Sequence, residues 1–253
     1  MSQKIHIFNI AIDNLTMEGV LARIDALIVR GRPAYICTAN ANHIRLLEKD
    51  ALFCKIYREA DVVTADGMFI FWSARLLGCP LSQKVSGSDL AVEICKHSAA
   101  RGYRIFMLGA QKEIALKAKV RCEKLYPGIS VVGYYSPARS EILDDYQSHQ
   151  IVERINASGA NILFVAFAVP LQEKWVARHL PQLRVAVSVC MGGGIDYLAQ
   201  EITRPPLWVR SIGMEWFARL IQNPRRYLKR YAQDSIIVYY LLRELLRTVL
   251  KNH

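Results

Sequence analysis

A chain of 253 residues, 52% of them hydrophobic, can build one large α/β domain or two smaller ones with a full core. Its net charge of +11 is uneven: ten Lys/Arg against three acids place +7 in 203–253, so the rest is nearly balanced and is not a polyanion binder by composition. The six cysteines (37, 54, 79, 95, 122, 190) include no CxxC pair and have no His ladder beside them, which fits reduced thiols of a cytoplasmic protein better than a disulfide or zinc framework.

In chain order, the opening MSQKIHIFNIAI is interrupted by His6 and Asn9 and followed by Asp13, so it does not read as a signal peptide. Strands are expected at 5–10, 34–38, 62–65, 103–108, 129–133, 161–167 and 185–190. Amphipathic helices are expected at 17–29, 41–59, 68–77, 89–100, 112–125, 141–156 and 171–179. Gly31, Gly78, Gly102 and Gly159 follow helices as left-handed terminators. This alternation predicts an α/β fold with a largely parallel, Rossmann-like sheet flanked by helices. Residues 1–202 form the core and 203–253 a basic, amphipathic helical appendage, broken at Arg204-Pro205-Pro206 and Asn223-Pro224. No stretch approaches 18 uninterrupted apolar residues, so no membrane-spanning helix is expected. The appendage interleaves its cations with seven Trp, Phe and Tyr residues. That composition suits an anionic membrane surface first and nucleic acid second.

Ligands of parallel α/β sheets bind beyond the carboxyl ends of the strands, and four strand exits are polar in a way the core does not require. The first carries Thr38, Asn40, Asn42 and His43, a set suited to sugar or phosphate, with helix capping by Asn40 an equal reading. The second is Asp66-Gly67, where a carboxylate at the sheet edge is either a general base or a helix cap. The third is Pro170-Leu171-Gln172-Glu173, a helix start that favours an anion, with Gln172 reaching the same crevice and Glu173 complementing the dipole. The fourth is Gly192-Gly193-Gly194-Ile195-Asp196, whose glycines let backbone amides approach a diphosphate while Asp196 holds a ribose hydroxyl. There is no Walker A motif, GxGxxG, HExxH, GxSxG or metal-holding Asp-x-Asp; Asp144-Asp145 read as solvated helix surface. Without a metal motif, a diphosphate leaving group would need protein cations, which the appendage supplies.

These exits, with the appendage behind them, resemble the WecG/TagA/CpsF family of bacterial glycosyltransferases. The resemblance rests on TANANH (38–43), ADGM (65–68), RLLGCPLSQKVSGSDL (75–90), FMLGA (106–110), YPGISVVG (126–133), VPLQEKWVARH (169–179), GGGIDYLA (192–199) and the basic block at 204–231. It implies metal-independent, inverting transfer of a sugar from a UDP donor to a polyprenyl-diphosphate-linked saccharide. The protein would act peripherally at the cytoplasmic face of the bacterial inner membrane, in cell-surface or exopolysaccharide synthesis. It places the general base at Asp66 and pocket residues at Thr38 and Gln172. Arg219, Arg226 and Lys229 fall where family members close the site over diphosphate. Asn40, Gly109, Gly192, Gly193, Gly194 and Asp196 join the donor-binding set. No cofactor or metal and no nucleic-acid partner is expected, and homo-oligomerisation is left open. Ala168, Leu171, Phe69 and Lys84 depart from the family's usual pattern, so the donor is N-acetylmannosamine-type or glucose-type. A nucleotide-binding oxidoreductase is the rival enzyme reading, although residues 9–14 lack the glycines it wants. A nucleic-acid binder using the basic appendage is the rival outside enzymes.

Overall fold

The computed structural model describes residues 3–200, 217, 220, 221, 224, 228 and 235–251. In place of one strand at 5–10, the chain opens with an antiparallel hairpin, β1 (Lys4–Ile7) and β2 (Ile10–Asp13). Its two-residue turn holds Phe8 and Asn9 at φ of 51° and 63°, the conformation whose twist matches the flanking strands. Asn adopts this region readily. Phe8 is held there by complete burial and by Phe69, whose ring lies 6.1 Å away. Asp13 Oδ2 accepts from the backbone N–H of Val63 at 2.9 Å and fastens the hairpin to the main sheet.

That sheet has six parallel strands: β3 (Ala34–Ala39), β4 (Val62–Ala65), β5 (Arg104–Gly109), β6 (Ser130–Tyr135), β7 (Ile162–Ala166) and β8 (Val187–Cys190). They lie in the order β4-β3-β8-β7-β5-β6. The strands are apolar on both faces, as a covered parallel sheet requires. Tyr35, Cys37, Leu163 and Val165 belong to one core; Ala34, Ile36, Ile162 and Phe164 belong to the other. The first core is closed by the hairpin and by α2 (Ala41–Leu47), α3 (Ala51–Glu59), α4 (Met68–Leu76), α8 (Asp145–Ala157) and α9 (Leu171–His179). The second is closed by α1 (Met17–Arg30), α5 (Gly87–Arg101), α6 (Lys112–Leu125) and α10 (Gly194–Leu198).

Two expected helices are each divided by an aspartate. Asp50 Oδ1 accepts from the N–H of Phe53 at 3.0 Å and starts α3 separately from α2. Asp144 Oδ1 accepts from the N–H of Gln147 at 2.8 Å and starts α8 after the short α7 (Arg139–Leu143). An aspartate at a helix start satisfies a backbone donor that has no partner in the helix, so the chain gains a cap by breaking there. Asp145 pairs with Arg178 at 2.6 Å. The pair that read as solvated helix surface is thus a cap and a surface ion pair.

Within the appendage, residues 237–251 form one helix, Ile237–Lys251. It is anchored on its own body. Ile237 and Tyr240 are buried in the first core, and Arg243 donates two hydrogen bonds to the Glu48 carboxylate, at 2.9 and 2.5 Å. Asn9 Nδ2 donates to the same carboxylate at 2.9 Å. Arg243, one of the appendage cations whose composition suits an anionic surface, is therefore committed to the body. Arg247 pairs with Glu244 at 3.0 Å. The opposite face keeps Val238, Leu242 and Leu246 more than half exposed, in i, i+4, i+8 spacing. Among the described residues no helix is long and apolar enough to cross a membrane.

Candidate active site

The carboxyl ends of four adjacent strands, β4, β3, β8 and β7, open into one cleft of about 400 Å³. This volume lies within the roughly 300–1,000 Å³ common for small-molecule sites. Thr38, Asn40, Asn42 and His43 enter from the end of β3, Asp66 from β4, Ala166–Val169 and Gln172 from the end of β7, and Met191–Gly194 with Asp196 and Tyr197 from β8. Strand order alone brings together residues up to 159 positions apart in the chain.

Asp66 is half-buried, and its backbone N–H donates to the Ala39 carbonyl oxygen at 2.7 Å. The capping position of α4 is held by Gly67 at φ 104°, so Asp66 is not a helix cap. Its carboxylate sits at the cleft on a backbone pinned to the neighbouring strand. Thr38 is almost fully buried and donates its hydroxyl proton to the Cys190 carbonyl oxygen at 3.1 Å. With that proton spent, Thr38 presents lone pairs to the cleft and acts there as an acceptor.

Asn40 meets both readings of it. Its Oδ1 accepts from the N–H of Asn42 at 3.1 Å, capping α2, while the residue also lines the cleft. The cap is completed by His43, whose Nδ1 accepts from the N–H of Asn40 at 3.3 Å. His43 is thus an orienting group. Its Nε2 lies 3.2 Å from Glu173 Oε1. Glu173 is fully buried, so it does more than complement the α9 dipole. Gln172 Nε2 donates to the same oxygen at 2.8 Å, and Gln172 Oε1 accepts from the N–H of Gly192 at 3.0 Å.

The Gly-rich turn has less amide to offer an anion than its sequence suggests. The N–H of Gly192 goes to Gln172, and that of Gly194 goes to the Met191 carbonyl at 3.1 Å. The N–H of Gly193 has no partner among the described residues. Gly192 sits at φ 53° beside open space, where its lack of a side chain keeps the cleft clear.

Gly109 does not line the cleft. At φ 102°, a Cβ there would stand 2.6 Å from the Ala166 carbonyl oxygen, so this glycine serves the close approach of β5 to β7. Arg219, Arg226 and Lys229 lie outside the described residues. The site residue missed from the sequence is Ser88, which lines the cleft from the first turn of α5. Gly87 beside it packs so closely that a Cβ would lie 3.0 Å from the Met191 carbonyl and 3.2 Å from Thr38 Oγ1. The available signal was the run of small residues after the Ser86 cap. Tyr197 was missed as well, because its helix is only five residues long and carries no periodicity.

Beneath the floor, Cys37 and Cys190 stand opposite each other on β3 and β8, fully buried. Burial pushes the Cys37 thiol above its ordinary pKa, and the contact with Cys37 pushes Cys190 well above. Both stay protonated, so neither is a nucleophile. Among the described residues no group of three or more His, Cys, Asp or Glu could hold a metal ion.

Comparison with known proteins gives this geometry a lineage. Residues 5–251 match the family described as Glycosyl transferase WecG/TagA/CpsF. The chain is 26% identical over 217 residues to an N-acetylglucosaminyldiphosphoundecaprenol N-acetyl-beta-D-mannosaminyltransferase of Bacillus spizizenii, covering 85% of this chain and 81% of that protein. It is 24% identical over 238 residues to a protein of the same name from Staphylococcus aureus, covering 93% and 91%.

Proposed function

The chain belongs to the WecG/TagA/CpsF family of glycosyl transferases, and on that premise we propose that it moves a hexosyl unit from a UDP donor to a saccharide carried on polyprenyl diphosphate. The reaction inverts the anomeric centre to give a β linkage and uses no divalent cation. The relatives' names, which specify a diphosphoundecaprenol-linked acceptor and a β-linked N-acetylmannosaminyl product, support the acceptor class and the linkage. The observation that carries the reading is the placing of Asp66, on a backbone tied to Ala39, in the same cleft as Thr38 and the Gly192–Gly194 turn.

Asp66 takes the proton of the acceptor hydroxyl as that oxygen attacks the anomeric carbon from the face opposite UDP. Thr38 accepts a hydrogen bond from a sugar hydroxyl, the role its spent proton leaves it. The Gly193 amide donates to the donor diphosphate, and Asp196 holds a ribose hydroxyl. Arg219, Arg226 and Lys229 offset the charge that gathers on departing UDP or hold the acceptor's diphosphate. The exposed Val238-Leu242-Leu246 face rests on the anionic cytoplasmic leaflet where the lipid acceptor resides.

Incubating the full-length protein with a panel of UDP-sugars and short polyprenyl-diphosphate sugars, with and without EDTA, tests the reading. The expected result is one extended lipid-linked product by mass, unchanged by the chelator. Absence of product from every pair, or loss of product on chelation, overturns the corresponding part.

A further inference from the structure

Glu173 ends up in an unusual place for a charged residue. It lies in the first turn of α9, fully buried, with Oε1 shared by two donors and Oε2 without a hydrogen-bond partner among the described residues. Buried polar atoms are nearly always satisfied, so a carboxylate buried beside a cleft calls for a structural reason.

The donors on Oε1 are specified by their other ends. A backbone N–H only donates, so the Asn40 N–H at 3.3 Å makes His43 Nδ1 an acceptor. The ring's proton therefore sits on Nε2 and goes to Glu173. Gln172 has the matching constraint. The Gly192 N–H requires an acceptor, so the amide must turn Oε1 towards Gly192 and Nε2 towards Glu173. A flipped amide would set donor against donor at Gly192 and oxygen against oxygen at Glu173. One carboxylate thus accepts from both groups, in the His43 tautomer and the Gln172 amide orientation that the two backbone N–H groups require. Through them it ties the Asn40 cap after β3 to the Gly192 turn after β8, at the ends of two neighbouring strands that line the cleft.

We propose that Glu173 is a positioning residue: by accepting from His43 and Gln172 at once, it holds the Asn40 cap and the Gly192 turn at the spacing that receives the donor diphosphate. The donor half of this proposal rests on the reading of the cleft as a UDP-sugar site. Glu173 touches no substrate and acts only through its two neighbours.

The test uses the full-length protein and UDP as probe, with Glu173→Ala, Glu173→Gln and a core variant away from the cleft, Ile155→Ala, compared for loss of melting temperature. UDP affinity is read by calorimetry and the His43 tautomer by nitrogen NMR of labelled histidine. Glu173→Ala should weaken UDP binding about tenfold or more and shift the His43 Nε2 resonance, because Nε2–H loses its acceptor while Nδ1 still accepts from Asn40, as expected for buried donors left unpaired. Glu173→Gln keeps an acceptor at Oε1 and should restore affinity to within about threefold, within the spread of single hydrogen-bond effects. Ile155→Ala should leave both readouts alone. A Glu173→Ala affinity equal to that of the wild type or of Ile155→Ala overturns the proposal, as does a wild-type His43 protonated on Nδ1. If wild-type protein binds no UDP, the donor reading fails and the donor half of the proposal with it; the tautomer then decides the Glu173 link by itself.

Discussion

The backbone N–H of Asp66 donates to the carbonyl oxygen of Ala39 at 2.7 Å, one residue beyond the last paired positions of β3 and β4. The ladder is thereby prolonged past the end of the sheet, and the carboxylate stands on the last rigid position before the Gly67 turn. A base so held loses little entropy in reaching its proton. Asp66→Asn is expected to bind UDP like the wild type and to lower transfer by about 10² to 10⁴, the usual contribution of a general base. Turnover on a short lipid-linked acceptor, measured beside UDP affinity, checks both halves. Near-wild-type turnover would remove Asp66 from the role.

Gln172→Ala leaves the Gly192 N–H and one acceptor site of Glu173 without their partner inside the protein. Unfolding by denaturant should show a loss of about 1–3 kcal/mol, the cost of an unsatisfied buried group. A loss smaller than that would mean water reaches the gap.

Gly109 and Gly192 separate packing from access. Gly109→Ala would drive a methyl group into the Ala166 backbone at an unfavourable φ, so the variant should be destabilised by about 2 kcal/mol or more. UDP affinity of its folded fraction should stay intact. Gly192→Ala meets no atom within 4 Å and pays only for its φ, about 1–2 kcal/mol, yet it should weaken UDP binding by narrowing the cleft. Thermal unfolding together with calorimetric titration distinguishes the two.

The C-terminal helix offers two faces that can be cut independently. Glu48→Ala or Arg243→Ala removes a bidentate, largely buried pair and should loosen the helix by about 1 kcal/mol. Faster amide exchange in 237–251 would report it. Val238→Ser with Leu242→Ser and Leu246→Ser leaves the buried Ile237 and Tyr240 untouched. At about 1 kcal/mol per partly inserted side chain, the triple variant should partition to anionic vesicles roughly a hundredfold less well. Unchanged vesicle binding would assign that face to another partner.

His179 supplies a pH dependence. Burial holds its pKa below the ordinary imidazole value, while Ser148 Oγ, which accepts from Trp175 Nε1 at 2.6 Å, lies 3.0 Å from His179 Nε2. On acidification the unfolded chain takes up this proton first. Stability therefore falls as pH drops below about 6.5 and levels off once the folded ring also titrates. His179→Gln should flatten that part of the curve in denaturation measured across pH.

Much of this protein is written along the chain. Short apolar runs and helical spacing located the six parallel strands and their helices, and the four polar strand exits named Thr38, Asp66, Gln172 and the Gly192 turn as neighbours, because a parallel sheet places every strand's carboxyl end on one edge. What the spacing could not carry were the interruptions. The hairpin turn at Phe8-Asn9 and the caps at Asp50 and Asp144 are single-residue events inside otherwise periodic runs, where one hydrogen bond or one left-handed residue outweighs the pattern. Ser88 was hidden for a related reason, since a run of small residues after a cap reads equally as core packing and as cleft lining.

The amino-acid sequence by itself determined the fold class, the charge division at about residue 202 and which strand ends carry polar side chains, since these follow from local periodicity and composition. Only the tertiary structure decided what each polar atom is free to do. Thr38 commits its hydroxyl donor to the Cys190 carbonyl oxygen, Gly192 gives its amide to Gln172, Arg243 is held by Glu48, and Glu173 is buried against His43. Each of these depends on a partner between 20 and 195 residues away. Hydrogen-bonding capacity is a property of the residue, but its availability is set by long-range packing.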